Sequence, residues 1–186
     1  YTMRKYRDLA REAGIKSDIE IHWVGTTVNV LHAYLVKAYL NEIADDEVIK
    51  YEDYYESDRN KFQVTKRVKV GGGGRPGHSG DVDAILAAEK LGADTVISLK
   101  NVDGVYEADP KMNPEAKRLD EITWSEYLEI IGGKKVHEPG GNYPIDPVAS
   151  QMGEERNLKF VILAGDDLPN FLNYLKGESY KGTVVS

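Results

Sequence analysis

The fold class is decided at residues 95–110, which read TVISLKNVDGVYEADP. Residues 95–99 are β-branched or apolar, and a short run of this kind predicts a strand of a helix-covered sheet. A polar turn follows at once and carries Gly104 and Pro110, which break regular structure. In open α/β sheets, ligands bind beyond the carboxyl ends of the strands. The segment therefore predicts a ligand-binding turn in an α/β fold.

A glycine-rich segment precedes this strand, at residues 70–81, which read VGGGGRPGHSGD. Glycine N–H groups beyond the end of a strand can cradle an anion, and the N-terminal end of the following helix favours a phosphate. The pattern is neither GxGxxG nor GxxxxGK[ST], so the two corresponding nucleotide-binding motifs are disfavoured. On glycine content alone, a flexible loop with Asp81 as a helix cap is an equally good interpretation.

The remaining chain alternates predicted helices with predicted strands. Capping by Thr123 and Glu126, with Gly132 as the stop, supports one of the helices. The first helix is predicted from the start of the chain to residue 13, and the others at 27–40, 81–91, 122–131, 146–156 and 169–176. The strands are predicted at 64–70, 95–99, 160–163 and, at a sheet edge, 183–185. This alternation predicts a mostly parallel sheet flanked by helices.

Composition narrows the function classes. The net charge of -7 argues against a nucleic-acid partner, which usually requires a basic surface. The absence of cysteine excludes disulfides and thiolate metal sites, and the four histidines lack the spacing of known metal motifs. No apolar run in the sequence approaches the length of a membrane span. We therefore expect a cytoplasmic protein with neither a nucleic-acid nor a membrane partner.

In order and spacing, these motifs resemble the amino-acid-kinase family, and within it the archaeal type of uridylate kinase. The turn at 101–110 resembles the nucleotide-binding turn of those enzymes. The glycine-rich segment, the Pro-Gly-His before Asp81 and the alanine-rich helix after it also match. The resemblance continues through YPIDP at 143–147 and LKGE at 175–178. It covers about residues 71–185 well and residues 1–40 weakly.

The resemblance implies a three-layer α/β/α sandwich with a mostly parallel central sheet, in one domain over residues 1–186. Residues 1–70 would serve the acceptor and oligomerisation, and residues 71–186 would bind ATP. The implied reaction is phosphoryl transfer from ATP, with Mg²⁺, to a nucleoside monophosphate, in the closest case UMP to UDP. A homo-oligomer, dimer or hexamer, is also implied, and no metal-ligating side chains are predicted.

The resemblance also implies site residues. Asp81 would be catalytic, beside the reacting groups. The residues implied for ATP are Asn101, Asp103, Gly104, Val105, Tyr106, Asp109 and Pro110, and those for the acceptor are Gly72, Gly73, Gly77, His78 and Ser79.

Three departures from the family pattern leave the acceptor open. The family's first strand, with its phosphate loop and lysine, would have to precede Tyr1. Ser79-Gly80 replace two threonines, and Asn29 and His32 stand where uridylate kinases tend to have Thr and Asn near the nucleoside. Residues 25–28, GTTV, also resemble molybdenum storage proteins, which share the fold and bind ATP but hold oxometalate clusters. A storage protein, or a kinase for another small acceptor, therefore remains an alternative.

Overall fold

The computed structural model describes residues 2–56, 60–110, 112–133, 136 and 143–186. The chain forms two compact units, Tyr1–Leu91 and Gly92–Ser186. The predicted single domain and its functional division after residue 70 stay predictions.

Two helices, α1 at Thr2–Glu12 and α2 at Asp18–Leu40, open the first unit and pack against each other. α2 begins well before the predicted start at residue 27, because the Ser17 side chain accepts the Glu20 N–H and caps it. Gly25 obscured this start in the sequence, since glycine disfavours helix interiors. In the fold, a Cβ on Gly25 would lie 3.0 Å from Arg7 Cδ. The glycine thus lets α1 approach α2 closely.

The predicted strand at 64–70 is wrong. Residues 43–51 and 67–73 run alongside each other in parallel, but they form only isolated bridges, Ala44 with Val68 and Ile49 with Gly71. Five residue steps separate the first members of these bridges and three separate the second members. The register therefore slips by two residues between the bridges, and the hydrogen-bonded ladder cannot continue through the slip.

Short 3₁₀ turns and one helix complete the first unit. The turns lie at Asn41–Ile43, Tyr51–Tyr54 and Asn60–Phe62, and α3 spans Gly80–Leu91, as predicted to within one residue. Ile49, Tyr54 and Phe62 form a buried cluster against which Leu86 and Ala87 of α3 pack. This cluster anchors the middle turn beside the glycine-rich segment.

The second unit is built on a four-stranded sheet in the order β1-β5-β6-β4. The strands are β1 at Thr95–Lys100, β4 at Glu121–Ile122, β5 at Lys159–Ala164 and β6 at Thr183–Val185. In this sheet β1 pairs in parallel with β5, β4 pairs in parallel with β6, and β5 pairs antiparallel with β6. The predicted mostly parallel sheet is confirmed.

The placements of Ile122 and of the last strand differ from the prediction, since Ile122 belongs to β4 and not to the helix predicted at 122–131. Residues 183–185 form β6 as expected, but β6 lies between β5 and β4 and not at the sheet edge. All three of its residues are buried. A strand without an exposed polar side is typical of the sheet interior, because an edge strand usually carries protective polar residues.

In the described residues of the second unit there are three helices, α4 at Trp124–Ile130, α5 at Pro147–Glu155 and α6 at Leu168–Lys176. Thr123 and Glu126 form the predicted capping box at the start of α4. The buried Tyr127 hydroxyl accepts the Ile145 N–H and donates to the Ile145 carbonyl, both at 2.7 Å. This double hydrogen bond ties α4 to the residues that lead into α5.

Candidate functional site

The glycine-rich segment runs directly past α2. A Cβ on Gly72 would lie 2.9 Å from the Val30 Cα, and a Cβ on Gly73 would lie 3.1 Å from the Thr26 Cγ2. The contact with the Val30 backbone leaves no room for a side chain at position 72, so packing requires glycine there, whereas a Cβ at position 73 would be tight against the Thr26 side chain. The sequence predicted that these glycines serve ligand binding, and the structure shows that they also allow the segment to pack against α2.

A cleft of about 390 Å³ opens between the glycine-rich segment, α2 and α3. Its size falls in the range of small-molecule sites. Gly72 and Gly73 form one wall, and its polar side chains are Asn29, His32, Tyr54 and Asp83. Asn29 and His32 are among the positions at which the sequence departs from the uridylate-kinase pattern, so these two departures fall on the cleft itself.

Asp83 is the buried carboxylate of this cleft, with 8% of its surface exposed. Its Oδ2 accepts the Gly74 N–H at 2.9 Å, and its Oδ1 accepts from the Tyr55 hydroxyl at 3.4 Å. Burial raises the pKa of this carboxyl above its usual value, while the hydrogen bond from Gly74 opposes the rise. Sequence reasoning singled out Asp81 and missed Asp83. Helical spacing places Asp83 away from the apolar stripe formed by Val82, Ile85 and Ala88, so the sequence pattern carried no signal for its burial.

Two adjacent tyrosines at the end of the Tyr51–Tyr54 turn hold the glycine-rich segment. The Tyr54 hydroxyl donates to the Gly72 carbonyl at 2.6 Å. The Tyr55 hydroxyl lies 2.9 Å from His78 Nδ1, and the Arg75 guanidinium stacks 4.3 Å above the centre of the Tyr55 ring. Burial raises the pKa of Tyr55 to about 12, so its hydroxyl keeps its proton at neutral pH.

The other predicted acceptor residues lie further along the segment. Gly77 has a φ of +89°, a backbone conformation that favours glycine. His78 contacts Tyr55, and the Ser79 Oγ accepts the Val82 N–H at 3.4 Å at the start of α3. Asp81 lies half-buried in the first turn of α3. The structure thus brings Gly72 and Gly73 to the cleft and gives Ser79 a capping role.

The predicted nucleotide turn is anchored by a two-stranded ladder in the second unit. β2 at Val105–Tyr106 pairs antiparallel with β3 at Arg118–Leu119. The Val105 N–H donates to the Thr183 hydroxyl at 2.8 Å, and that hydroxyl donates to the Leu119 carbonyl at 2.5 Å. A Cβ on Gly104 would lie 2.5 Å from the Thr183 Oγ1. The buried β6 therefore fixes the backbone of the turn.

Three polar side chains meet on this turn. The Tyr106 hydroxyl donates to Asp103 Oδ1 at 2.9 Å, and Arg118 Nη1 lies 3.7 Å from Asp103 Oδ2. The hydrogen bond to Asp103 raises the pKa of Tyr106. Arg118 was missed by sequence reasoning, because only the β2–β3 register places it opposite Tyr106. Asp103 and Tyr106 are thereby held in a defined orientation.

The outer part of the turn is exposed. Asn101 directly follows β1 and is exposed, as are Asp109 and Pro110. The Asp109 carbonyl accepts the N–H groups of Met112 and Asn113, at 3.0 and 2.9 Å. The turn therefore presents polar groups to solvent from a backbone that is fixed at both ends.

In the ranges that the structure describes, no cluster of three or more His, Cys, Asp or Glu side chains could hold a metal ion. His137, one of the four histidines of the sequence, lies outside those ranges. Within the same part of the chain, no helix has both the length and the apolar character needed to cross a bilayer.

Comparison with known proteins identifies relatives of the whole chain. The model of the amino acid kinase family matches residues 3–164. The uridylate kinase of Pyrococcus abyssi is 33% identical over 184 residues, which cover 99% of this chain and 79% of that protein. The uridylate kinase of Thermococcus kodakarensis is 34% identical, over 98% of this chain and 78% of that protein.

Solved structures agree with these relatives. The crystal structure of the uridylate kinase from Archaeoglobus fulgidus matches with a TM-score of 0.79 and 32% identity, covering 99% of this chain and 79% of that chain. The UMP kinase from Ureaplasma parvum matches with a TM-score of 0.76 over 96% of this chain and 76% of its own, at 22% identity, which supports the fold alone.

Proposed function

Because the chain belongs to the amino acid kinase family, we propose that it transfers a phosphoryl group from ATP to a nucleoside monophosphate, with UMP as the acceptor and UDP as the product. The observation that carries this proposal is the likeness to the Pyrococcus abyssi uridylate kinase over 99% of the chain. The chain also carries the two features that such a reaction needs, a nucleotide-type turn after β1 and a glycine-walled cleft beside α3.

ATP binds, in this proposal, at the turn that contains Asp103 and Tyr106. The ladder between β2 and β3 and the Thr183 hydroxyl hold the turn rigid, so little ordering entropy is lost on binding. The combined change Asp103→Asn and Tyr106→Phe removes the carboxylate charge and the hydroxyl that donates to it. We expect ATP to bind at least about tenfold more weakly, by calorimetry. An unchanged affinity in a folded double variant would contradict this placement.

The acceptor occupies the cleft walled by Gly72 and Gly73, with Asp81 as the catalytic residue. Phosphoryl transfer depends mainly on positioning and on stabilisation of developing charge, for which glycine N–H groups are suited. Mg²⁺ would reach the site with the ATP phosphates, since the described side chains form no metal cage of their own. Asp81 would hold the groups around the transferring phosphoryl in place.

Replacement of Asp81 by asparagine tests the enzyme directly. The change preserves size but removes the charge, so turnover should fall by roughly two to four orders of magnitude. ATP affinity should change much less, because the proposed ATP contacts lie on residues 101–110. The assay is ADP formation with UMP, CMP and other monophosphates, and Glu154→Gln on the exposed side of α5 is the matched loss of one charge. Equal loss in both variants would contradict a catalytic role for Asp81.

The same assay separates the alternatives. Turnover that depends on a different small acceptor would support a kinase activity but show that UMP is not its acceptor. This outcome is tested because Asn29 and His32, which depart from the uridylate-kinase pattern, lie in the cleft. Tight ATP binding without any acceptor-dependent turnover would contradict the proposed kinase activity. Molybdate or tungstate retained through gel filtration would then favour a storage protein.

Further parts of the proposal concern assembly and location. We propose a cytoplasmic homo-oligomer, a dimer or hexamer, that binds nucleotides and no nucleic acid. Its support is an apolar surface on α2, where Leu31, Leu35 and Tyr39 are 60%, 67% and 88% exposed. Apolar side chains clustered on one helix face typically mark a contact with another protein surface.

A further inference from the structure

We propose that Asp83 is a positioning residue for the acceptor: it fixes the Gly74 backbone and, through Tyr55, the segment that carries His78. This inference rests on the proposed function, since it concerns the same cleft. It adds a residue on α3, two positions beyond Asp81, whose part is to hold the cleft wall in shape for the incoming monophosphate.

Contact geometry at Gly74 supports this role. The Asp83 Oδ2 accepts the buried Gly74 N–H at 2.9 Å across nine residues of sequence. A Cβ at position 74 would overlap the Asp83 carboxylate, so the observed position of the carboxylate requires glycine at 74. A buried carboxylate costs free energy unless its oxygens are satisfied. The backbone of the glycine-rich segment and the α3 side chain therefore hold each other in one arrangement.

Tyr55 extends the restraint along the loop. Its hydroxyl lies 3.4 Å from Asp83 Oδ1 and 2.9 Å from His78 Nδ1, and it also accepts the Arg75 N–H at 3.4 Å. Arg75 in turn pairs with Glu52 and stacks on the Tyr55 ring. A displacement of the Asp83 side chain would therefore alter contacts of Gly74, Arg75 and His78. The last of these is a predicted acceptor residue.

Asp83 lines the cleft, so the loss of this restraint acts where the acceptor binds. The predicted ATP contacts lie on a different segment, at residues 101–110. A positioning residue of this kind should alter the KM for the acceptor and leave the KM for ATP nearly unchanged. A general loss of folding would instead lower the active fraction, and therefore kcat, without such a split between the two substrates.

The experiment compares Asp83→Asn and Asp83→Leu in the full-length protein, with kinetics for UMP and ATP measured below each variant's unfolding temperature. Asparagine keeps an oxygen that accepts the Gly74 N–H, whereas leucine has a similar volume and no acceptor. We expect the leucine variant to raise the UMP KM by about tenfold or more and the asparagine variant by about two- to threefold. The KM for ATP should stay within about twofold in both. Equal KM changes for UMP and ATP, or a UMP KM within about twofold of wild type in Asp83→Leu, would overturn the proposal.

A readout independent of catalysis separates this inference from the proposed function. Amide hydrogen exchange at Gly74 should be slow in wild type, only modestly faster in Asp83→Asn, and about tenfold or more faster in Asp83→Leu. Gly74→Ala should also lower the free energy of unfolding by less in the Asp83→Ala background than in wild type, because the carboxylate that the new Cβ would overlap is gone. If UMP is not phosphorylated but the exchange and the double-variant results are as expected, UMP is not the acceptor, whereas the conclusion that Asp83 positions Gly74 is supported. Unchanged exchange in Asp83→Leu would overturn the inference whatever the acceptor is.

Discussion

Replacement of Thr183 by valine should disconnect the nucleotide turn from the sheet. The Thr183 side chain is fully buried, and its hydroxyl accepts the Val105 N–H and donates to the Leu119 carbonyl. Valine has nearly the same shape but leaves the buried Val105 N–H and the part-buried Leu119 carbonyl without this partner. A buried group left unpaired costs about 1–3 kcal/mol and a part-buried one costs less, so we expect a loss of about 2–4 kcal/mol in the free energy of unfolding. Because Val105 belongs to the predicted ATP turn, ATP affinity should fall as well.

Urea unfolding and ATP calorimetry on the same samples test this expectation. Thr183→Ser is the matched control, because it keeps the hydroxyl and removes only a methyl group, at a cost of about 1 kcal/mol. The valine variant should therefore be clearly less stable than the serine variant. If the two are equally stable, or if valine destabilises the protein without weakening ATP binding, the hydroxyl does not hold the turn as described.

Two further predictions concern the rest of the molecule. Tyr127→Phe removes the hydroxyl that bonds both the N–H and the carbonyl of Ile145, so the free energy of unfolding measured in urea should fall by about 2 kcal/mol. The control Tyr6→Phe, at an exposed tyrosine, should change it little. Equal stabilities of the two variants would show that the Tyr127 hydroxyl is dispensable. Light scattering at micromolar concentration should give a multiple of the 20.8 kDa chain mass, and Leu35→Lys on the exposed side of α2 should reduce it. A single-chain mass for wild type would contradict the homo-oligomer.

Elements with local causes were predictable from the sequence. β1 follows from a β-branched apolar run that ends in a polar turn, and α4 follows from the Thr123–Glu126 capping box. The turn at Asp103 and Tyr106 was found for the same reason, since its residues are neighbours in sequence. Asp81 was predicted as catalytic because the family resemblance implies an acidic residue at the start of the helix after the glycine-rich segment.

Features that depend on distant partners were missed. The strand predicted at 64–70 has the right residue types, but strand formation also needs a partner in continuous register, and residues 44–49 do not supply one. Asp83 becomes a cleft residue only because the chain folds back on Gly74. Thr183 meets Val105 across 78 residues of sequence, a contact that no local pattern reveals.

The position of β6 has a consequence for how the second unit folds. β6 pairs with β4 through Val184 and Glu121, and β1 pairs with β5 through Val96 and Phe160, so each of these pairs closes a loop of more than sixty residues. Sheets joined by such long loops fold slowly, because the entropy of closing the loop is lost before the strand contacts form. The capped α4 can form early, whereas the sheet, and with it the Thr183 contact to the nucleotide turn, waits for β6. We therefore expect the folding rate of this unit to be limited by the pairing of β6 with the sheet. The ability to bind ATP should appear only in that final step.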